Sequence, residues 1–212
     1  MKAIYTAHTG CMKTNANSVQ SIEAGYENGA SIVEFDLNFD KNGEPVLSHD
    51  APKGGEVTLD EAFGKVATYD NIRVNVDVKD DTYLEKVKPL AEKYGIENRI
   101  FFTGIHDGFV KKAKTTGVEY YLNVKVDKKR KYTEEYLLSL VKKVKDSGAV
   151  GINFNHRNAT KKLVKVFHDN GLLVSIWTVD RKMKMKKVLA MSPDNITTRK
   201  PDVLGKIIKK CK

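Results

Sequence analysis

Cysteine is nearly absent from this 212-residue chain: Cys11 and Cys211 are the only two, and they sit at opposite ends. They offer no disulfide framework and no CxxC metal pair, so a reducing, cytoplasmic location is expected. Arginine is scarce too, with 6 residues against 31 lysines. A net charge of +10 invites a nucleic-acid or membrane reading, but phosphate readers favour the bidentate arginine fork. The lysines concentrate in helix-like stretches, Lys161-Lys162, Lys182 to Lys187 and Lys206 to Lys210. They read as solvated outer faces, with weak attraction to an anionic surface or polymer as the alternative; no specific nucleic-acid partner is expected. Long apolar runs are missing: stretches such as Gly171-Leu172-Leu173-Val174 fall far short of the ~20 residues of a membrane helix. The N-terminal Met1 to Thr6 carries no apolar h-region of a signal peptide. Disorder is excluded in turn, because 41% of the residues are hydrophobic and 30% charged, enough to build a core.

What is present is alternation. Strand-like runs (Lys2 to Ala7, Ser31 to Phe39, Ile72 to Val78, Arg99 to Thr103, Glu119 to Val126, Val150 to Phe154, Leu172 to Thr178, Asp194 to Thr198) are each followed by a helix-like run. The helical runs are Asn17 to Asn28, Thr58 to Val66, Thr82 to Tyr94, Phe109 to Thr115, Thr133 to Lys145, Thr160 to His168, Arg181 to Leu189 and Pro201 to Lys210. A short extended piece, Pro45 to Ser48, adds a hairpin after the second strand. Eight strand-then-helix units without a linker predict a single α/β domain over 1–212, a (β/α)8 TIM barrel. An open doubly wound sheet is the alternative, but no glycine-rich phosphate loop follows the first strand, where His8-Thr9-Gly10-Cys11 stands.

In such a barrel the chemistry sits at the C-terminal strand ends. Glu34 and Asp36 are two apart on the second strand and so share a face. Two carboxylates pointing into a barrel need a cation, and Asp77 on the next strand offers a third oxygen ligand. Carboxylates without cysteine suit a hard divalent ion, Mg2+ or Ca2+; the competing reading pairs them with Lys79 in a structural network. His8 and His49 fall at strand ends beside these acids, where two imidazoles divide proton transfer at neutral pH. Asp50 is placed to orient a neighbouring histidine. Asn123, Lys125, Arg157 and Trp177 stand at later strand ends.

These residues resemble the glycerophosphodiester phosphodiesterase family, related to the phosphatidylinositol phospholipase C barrels. The likeness runs through Ala7-His8, Asn17-Ser18, Gly29 to Asp36 with its Glu-x-Asp, and Gly43 to Asp50 with its closing His-Asp. It continues through Asp77-Val78-Lys79, Ile176 to Asp180 and Pro201-Asp202. The resemblance implies a metal-dependent phosphodiesterase acting on a small glycerophosphodiester-type substrate, with His8 and His49 as acid/base pair and Glu34, Asp36 and Asp77 on the metal. It implies that Lys79 binds phosphate and Trp177 lines the glycerol side; Asn123 and Arg157, read from their own strand ends, are expected as further substrate contacts. Thr9 stands where the family has an arginine on phosphate, Asn15-Ala16 replaces Pro-Glu, and Asp77 replaces a glutamate. Thr9→Arg is therefore expected to raise activity on a simple glycerophosphodiester; the alternative is that Arg157 or Lys125 already supplies the missing charge from another strand. A catalytically weak or inactive anion-binding barrel and a sphingomyelinase D-like lipid phosphodiesterase are the alternatives.

Overall fold

The computed structural model describes residues 4–210; Lys2 and Ala3 of the first expected strand, and Cys211, lie outside the described residues. Nine strands occur among these: β1 (Ile4–Ala7), β2 (Ile32–Phe39), β3 (Pro45–Leu47), β4 (Arg73–Val78), β5 (Ile100–Ile105), β6 (Tyr120–Asn123), β7 (Gly151–Asn155), β8 (Leu173–Trp177) and β9 (Asn195–Thr198). All but β3 pair in parallel in the order β1-β2-β4-β5-β6-β7-β8-β9, and β9 returns to β1, so the sheet closes into the expected barrel. Strand β3 is antiparallel to β2 and forms the expected hairpin.

Among the described residues eight α-helices surround the barrel: α1 (Val19–Glu27), α2 (Leu59–Ala67), α3 (Val87–Lys93), α4 (Val110–Thr116), α5 (Glu134–Ser147), α6 (Lys161–Asp169), α7 (Lys182–Leu189) and α8 (Pro201–Lys210). Hydroxyl caps start three of them: Ser18, Thr58 and Thr160 each accept from the backbone N–H three residues on, satisfying a donor the helix leaves free. The expected helix from Thr82 to Tyr94 is instead a 3-10 turn, Leu84–Lys86, followed by α3. Pro89 is tolerated only in a first turn, so the α-helix begins at Val87. The expected strand to Val126 stops at Asn123, which pairs with Asn153 in the short β7.

Two layers of core result. Leucine, valine, isoleucine and phenylalanine on the outer strand faces pack against the helices as one large cluster. Inside the barrel, Ile32, Phe101 and Tyr121 form a small apolar plug near the N-terminal strand ends. Above it the interior turns polar: Thr6 donates to Asn195 (2.9 Å), Asn195 donates to Ser175 (3.1 Å), and the Thr103 hydroxyl lies 2.8 Å from Asn75 Oδ1. Buried polar groups are tolerated when paired in this way, and the layer supports the charged end of the barrel. No described helix is long and apolar enough to cross a membrane.

Candidate active site

A cavity of about 340 Å³ opens at the C-terminal end of the barrel, and His8, Glu34, Asp36, His49, Asp77, Lys79, Asn123 and Trp177 all line it. Pairing in the sheet explains the acids. Asp36 and Asp77 are register partners on β2 and β4, and Glu34 lies two residues before Asp36 on the same face. Carboxylate oxygens of the three lie within 4.8 Å of one another.

Each carboxylate is held by hydrogen bonds. Thr9 N–H donates to Glu34 Oε2 (2.7 Å). Asn17 clamps Asp36 twice, its Nδ2 donating to Oδ2 and its Oδ1 accepting from the Asp36 N–H, both at 3.0 Å. The Thr103 hydroxyl lies 2.6 Å from Asp77 Oδ1. Lys79 Nζ reaches Asp36 Oδ1 at 2.9 Å and pairs with Asp77. Burial pushes the Glu34 carboxyl well above its ordinary range, and Asp36 and Asp77 push it further. Burial works against the Lys79 ammonium, but Asp77 and Asp36 overcome it and hold the lysine firmly charged. One ammonium thus faces three carboxylates in a water-poor pocket, and the imbalance is what a divalent cation would correct. The residues present fit such an ion: hard oxygen donors, convergent, with positive charge in deficit.

The histidines differ in setting. His8 is largely buried, and its Nδ1 lies 2.8 Å from the Thr9 carbonyl. A carbonyl only accepts, so Nδ1 carries the hydrogen and Nε2 of the neutral ring is left as a base. Burial, with Arg199 nearby, holds its pKa below the ordinary value. His49 is exposed and lies 3.0 Å from Asp50 Oδ1, which orients its ring as expected. Trp177 Nε1 and Asn153 Oδ1 are buried without a partner among the described residues, an arrangement that suits a hydroxyl-bearing ligand. Asn123 faces the same cavity, but its Oδ1 is already engaged by Gly104 N–H (3.1 Å) and Asn153 Nδ2 (2.9 Å).

Arg157 is not brought to this cavity. Asn155 accepts from its N–H (3.0 Å) and caps a 3-10 turn that carries residue 157 into a neighbouring groove. Lys125 does not line the cavity itself but a small pocket beside it, which shares Asn123, Asn153 and Trp177 with it. Arg199, which directly follows β9, lines the acid cavity instead. Barrel closure places it there: His8 N–H donates to the Thr198 carbonyl (2.9 Å) across the β1–β9 seam. Thr9, by contrast, is only 3% exposed, and its hydroxyl accepts from Asn17 N–H (2.5 Å).

The chain matches the family model of glycerophosphoryl diester phosphodiesterases over residues 8–80 and 64–203. It belongs to that family. A glycerophosphodiester phosphodiesterase of Caldanaerobacter subterraneus subsp. tengcongensis is 23% identical over 99% of both chains. A solved glycerophosphodiester phosphodiesterase of Parabacteroides distasonis superposes with a TM-score of 0.78 at 19% identity, covering 99% of this chain and 98% of that one. A phosphodiesterase of Oleispira antarctica, solved with the product sn-glycerol-3-phosphate, gives 0.75 at 15% identity, covering 98% and 97%. As a family member this chain is a phosphoric diester hydrolase, and its acidic triad offers the convergent oxygen donors that a divalent cation takes.

Proposed function

We propose that the protein hydrolyses a glycerophosphodiester to glycerol phosphate and an alcohol, with His8 and His49 as proton carriers. The observation that carries this reading is the convergence of three carboxylates and two histidines on one cavity. Glu34, Asp36 and Asp77 would hold the cation, Mg2+ or Ca2+. Bound there, it would supply positive charge to a phosphate oxygen and acidify a hydroxyl. His8 Nε2 is the base that takes the proton of the attacking glycerol hydroxyl. The glycerol oxygen bonds to phosphorus as the P–O bond to the alcohol breaks, and His49, oriented by Asp50, gives a proton to the departing alcohol oxygen; water then opens the resulting cyclic glycerol phosphate as the roles reverse. Lys79 and Arg199 bind the phosphate oxygens. Trp177 Nε1 and the Asn153 carbonyl bind glycerol hydroxyls.

The test is turnover of glycerophosphoglycerol with and without EDTA, beside His49→Ala. Chelation and the substitution should each abolish release of glycerol phosphate. Activity that survives both would sink the assignment, and no turnover of any diester would favour the non-catalytic anion-binding barrel.

A further inference from the structure

Beside the acid cavity runs a second groove of about 500 Å³, between the loop after β6, the 3-10 turn His156–Asn158 and helix α7. Five cations line it: Lys131, Arg157, Arg181, Lys184 and Lys187. None of them has a carboxylate within 4.0 Å among the described residues, although most other ion pairs of the protein involve lysine. Asp180, the groove's one acid, is spent elsewhere. Its Oδ1 accepts from Arg199 N–H (2.8 Å) and its Oδ2 pairs with the Arg199 guanidinium (3.2 Å).

One of the lining groups is costly as it stands. Lys131 is only 9% exposed, and its Nζ finds a single weak acceptor, the Arg157 carbonyl at 3.3 Å. A lysine this buried, with no counter-charge, among four further cations without carboxylate partners marks a groove that suits an anionic ligand. Helix α7 also begins here without a side-chain cap. Two arginine forks and three lysines suit the tetrahedral oxygens of phosphate.

The groove is joined to the acid cavity. Thr178 lines both, and the Asp180–Arg199 pair lies at their border. We propose that this groove is a phosphate-binding subsite that receives a further phosphate carried on the alcohol of the diester, so that phosphorylated leaving groups are preferred substrates. This rests on the phosphodiesterase reading above. Such an alcohol occurs in a chain of repeating glycerol phosphates and in a phosphorylated inositol headgroup, and the shared chemistry is the second phosphate.

The experiment compares kcat/KM for glycerophosphoglycerol, a glycerol phosphate trimer and glycerophosphoinositol phosphate, in wild type and in Lys184→Ala/Lys187→Ala. Both lysines are exposed on α7, so the fold should tolerate the change. The phosphorylated substrates should be favoured about tenfold or more in wild type, and the double variant should remove that preference while leaving glycerophosphoglycerol within about twofold. Preference for the trimer alone points to a polymer, and for the inositol alone to a headgroup; both support the subsite. In parallel, inorganic phosphate titrated into the EDTA-treated full chain should shift backbone amides at 181–187, and should fail to do so in the double variant. Turnover of the plain diester with no preference and no such shifts would overturn the subsite and keep the phosphodiesterase. Groove shifts without turnover of any diester would overturn the phosphodiesterase and keep the phosphate site.

Discussion

Glu34 has almost no water around it and two carboxylates beside it. Without a cation its ionisation costs stability, and the sign of the pH effect follows. Its folded pKa lies above the ordinary 4.5, so the folded state binds more protons across that window. Stability of the cation-free protein therefore falls as pH rises from about 4.5 through the raised value. Glu34→Gln keeps an oxygen for the Thr9 N–H and removes the charge. In EDTA at pH 8 it should melt higher than wild type by a few degrees, about 1–2 kcal/mol, with the gap closing toward pH 4.5. A variant that melts lower across the range would reject the uncompensated charge. Arg199 carries a different residue-scale expectation. Loss of a charged donor to phosphate costs roughly 1.5–3 kcal/mol, so Arg199→Ala should lower kcat/KM by about tenfold to a hundredfold. Thr9→Arg should bring no gain, contrary to the sequence-based expectation, because the position is buried and its hydroxyl is engaged. A faster Thr9→Arg, or an Arg199→Ala as active as wild type, would return the phosphate to the end of β1.

At the scale of elements, the strand ends decide the site, and one bulge matters most. The β5 register shifts between Phe102 and Ile105, where Gly104 adopts φ of +78°. A Cβ there would collide with the Val78 backbone, between Asp77 and Lys79. Gly104→Ala combines a left-handed backbone with overpacking against main chain. It should destabilise the protein by about 2–4 kcal/mol and displace Asp77 and Lys79. Chemical denaturation and the cation affinity of the variant measure the two effects; normal affinity would show that the bulge only accommodates the turn. The elements themselves were readable in the sequence because each helix carries a local signal, such as Thr58-Leu59-Asp60-Glu61 opening α2. The Glu34, Asp36 and Asp77 cluster was readable for a related reason: period-two spacing fixes the face, and adjacent parallel strands fix the depth. Asn17 was harder, since only the fold shows that both ends of its amide are committed to Asp36.

At the scale of the whole molecule, closure does what no local pattern reveals. Arg199 and His8 meet because the last strand returns to the first. Charge tells the same story. Six arginines beside 31 lysines argued against a nucleic-acid reader, yet three of the six (Arg157, Arg181 and Arg199) line the cavity and groove at one end of the barrel. Composition averages over the surface, whereas the fold gathers the scarce residue in one place. Cation binding at the triad would likewise belong to the folded state alone, since β2 and β4 bring the three carboxylates together only when they pair. An ion that binds the folded state alone stabilises it by RT ln(1 + [L]/Kd), about 2.7 kcal/mol at a hundredfold excess over Kd. For a chain of this size that raises Tm by roughly 5–10 °C. Melting curves at increasing Mg2+ and Ca2+ should show this rise, reversed by EDTA and absent in Glu34→Gln. The ion that gives the larger shift at equal concentration should also restore turnover more fully, because both readouts report occupancy of the same three carboxylates. A Tm that ignores both ions would mean that Lys79 alone balances the triad, and the cation would have to be withdrawn from the mechanism.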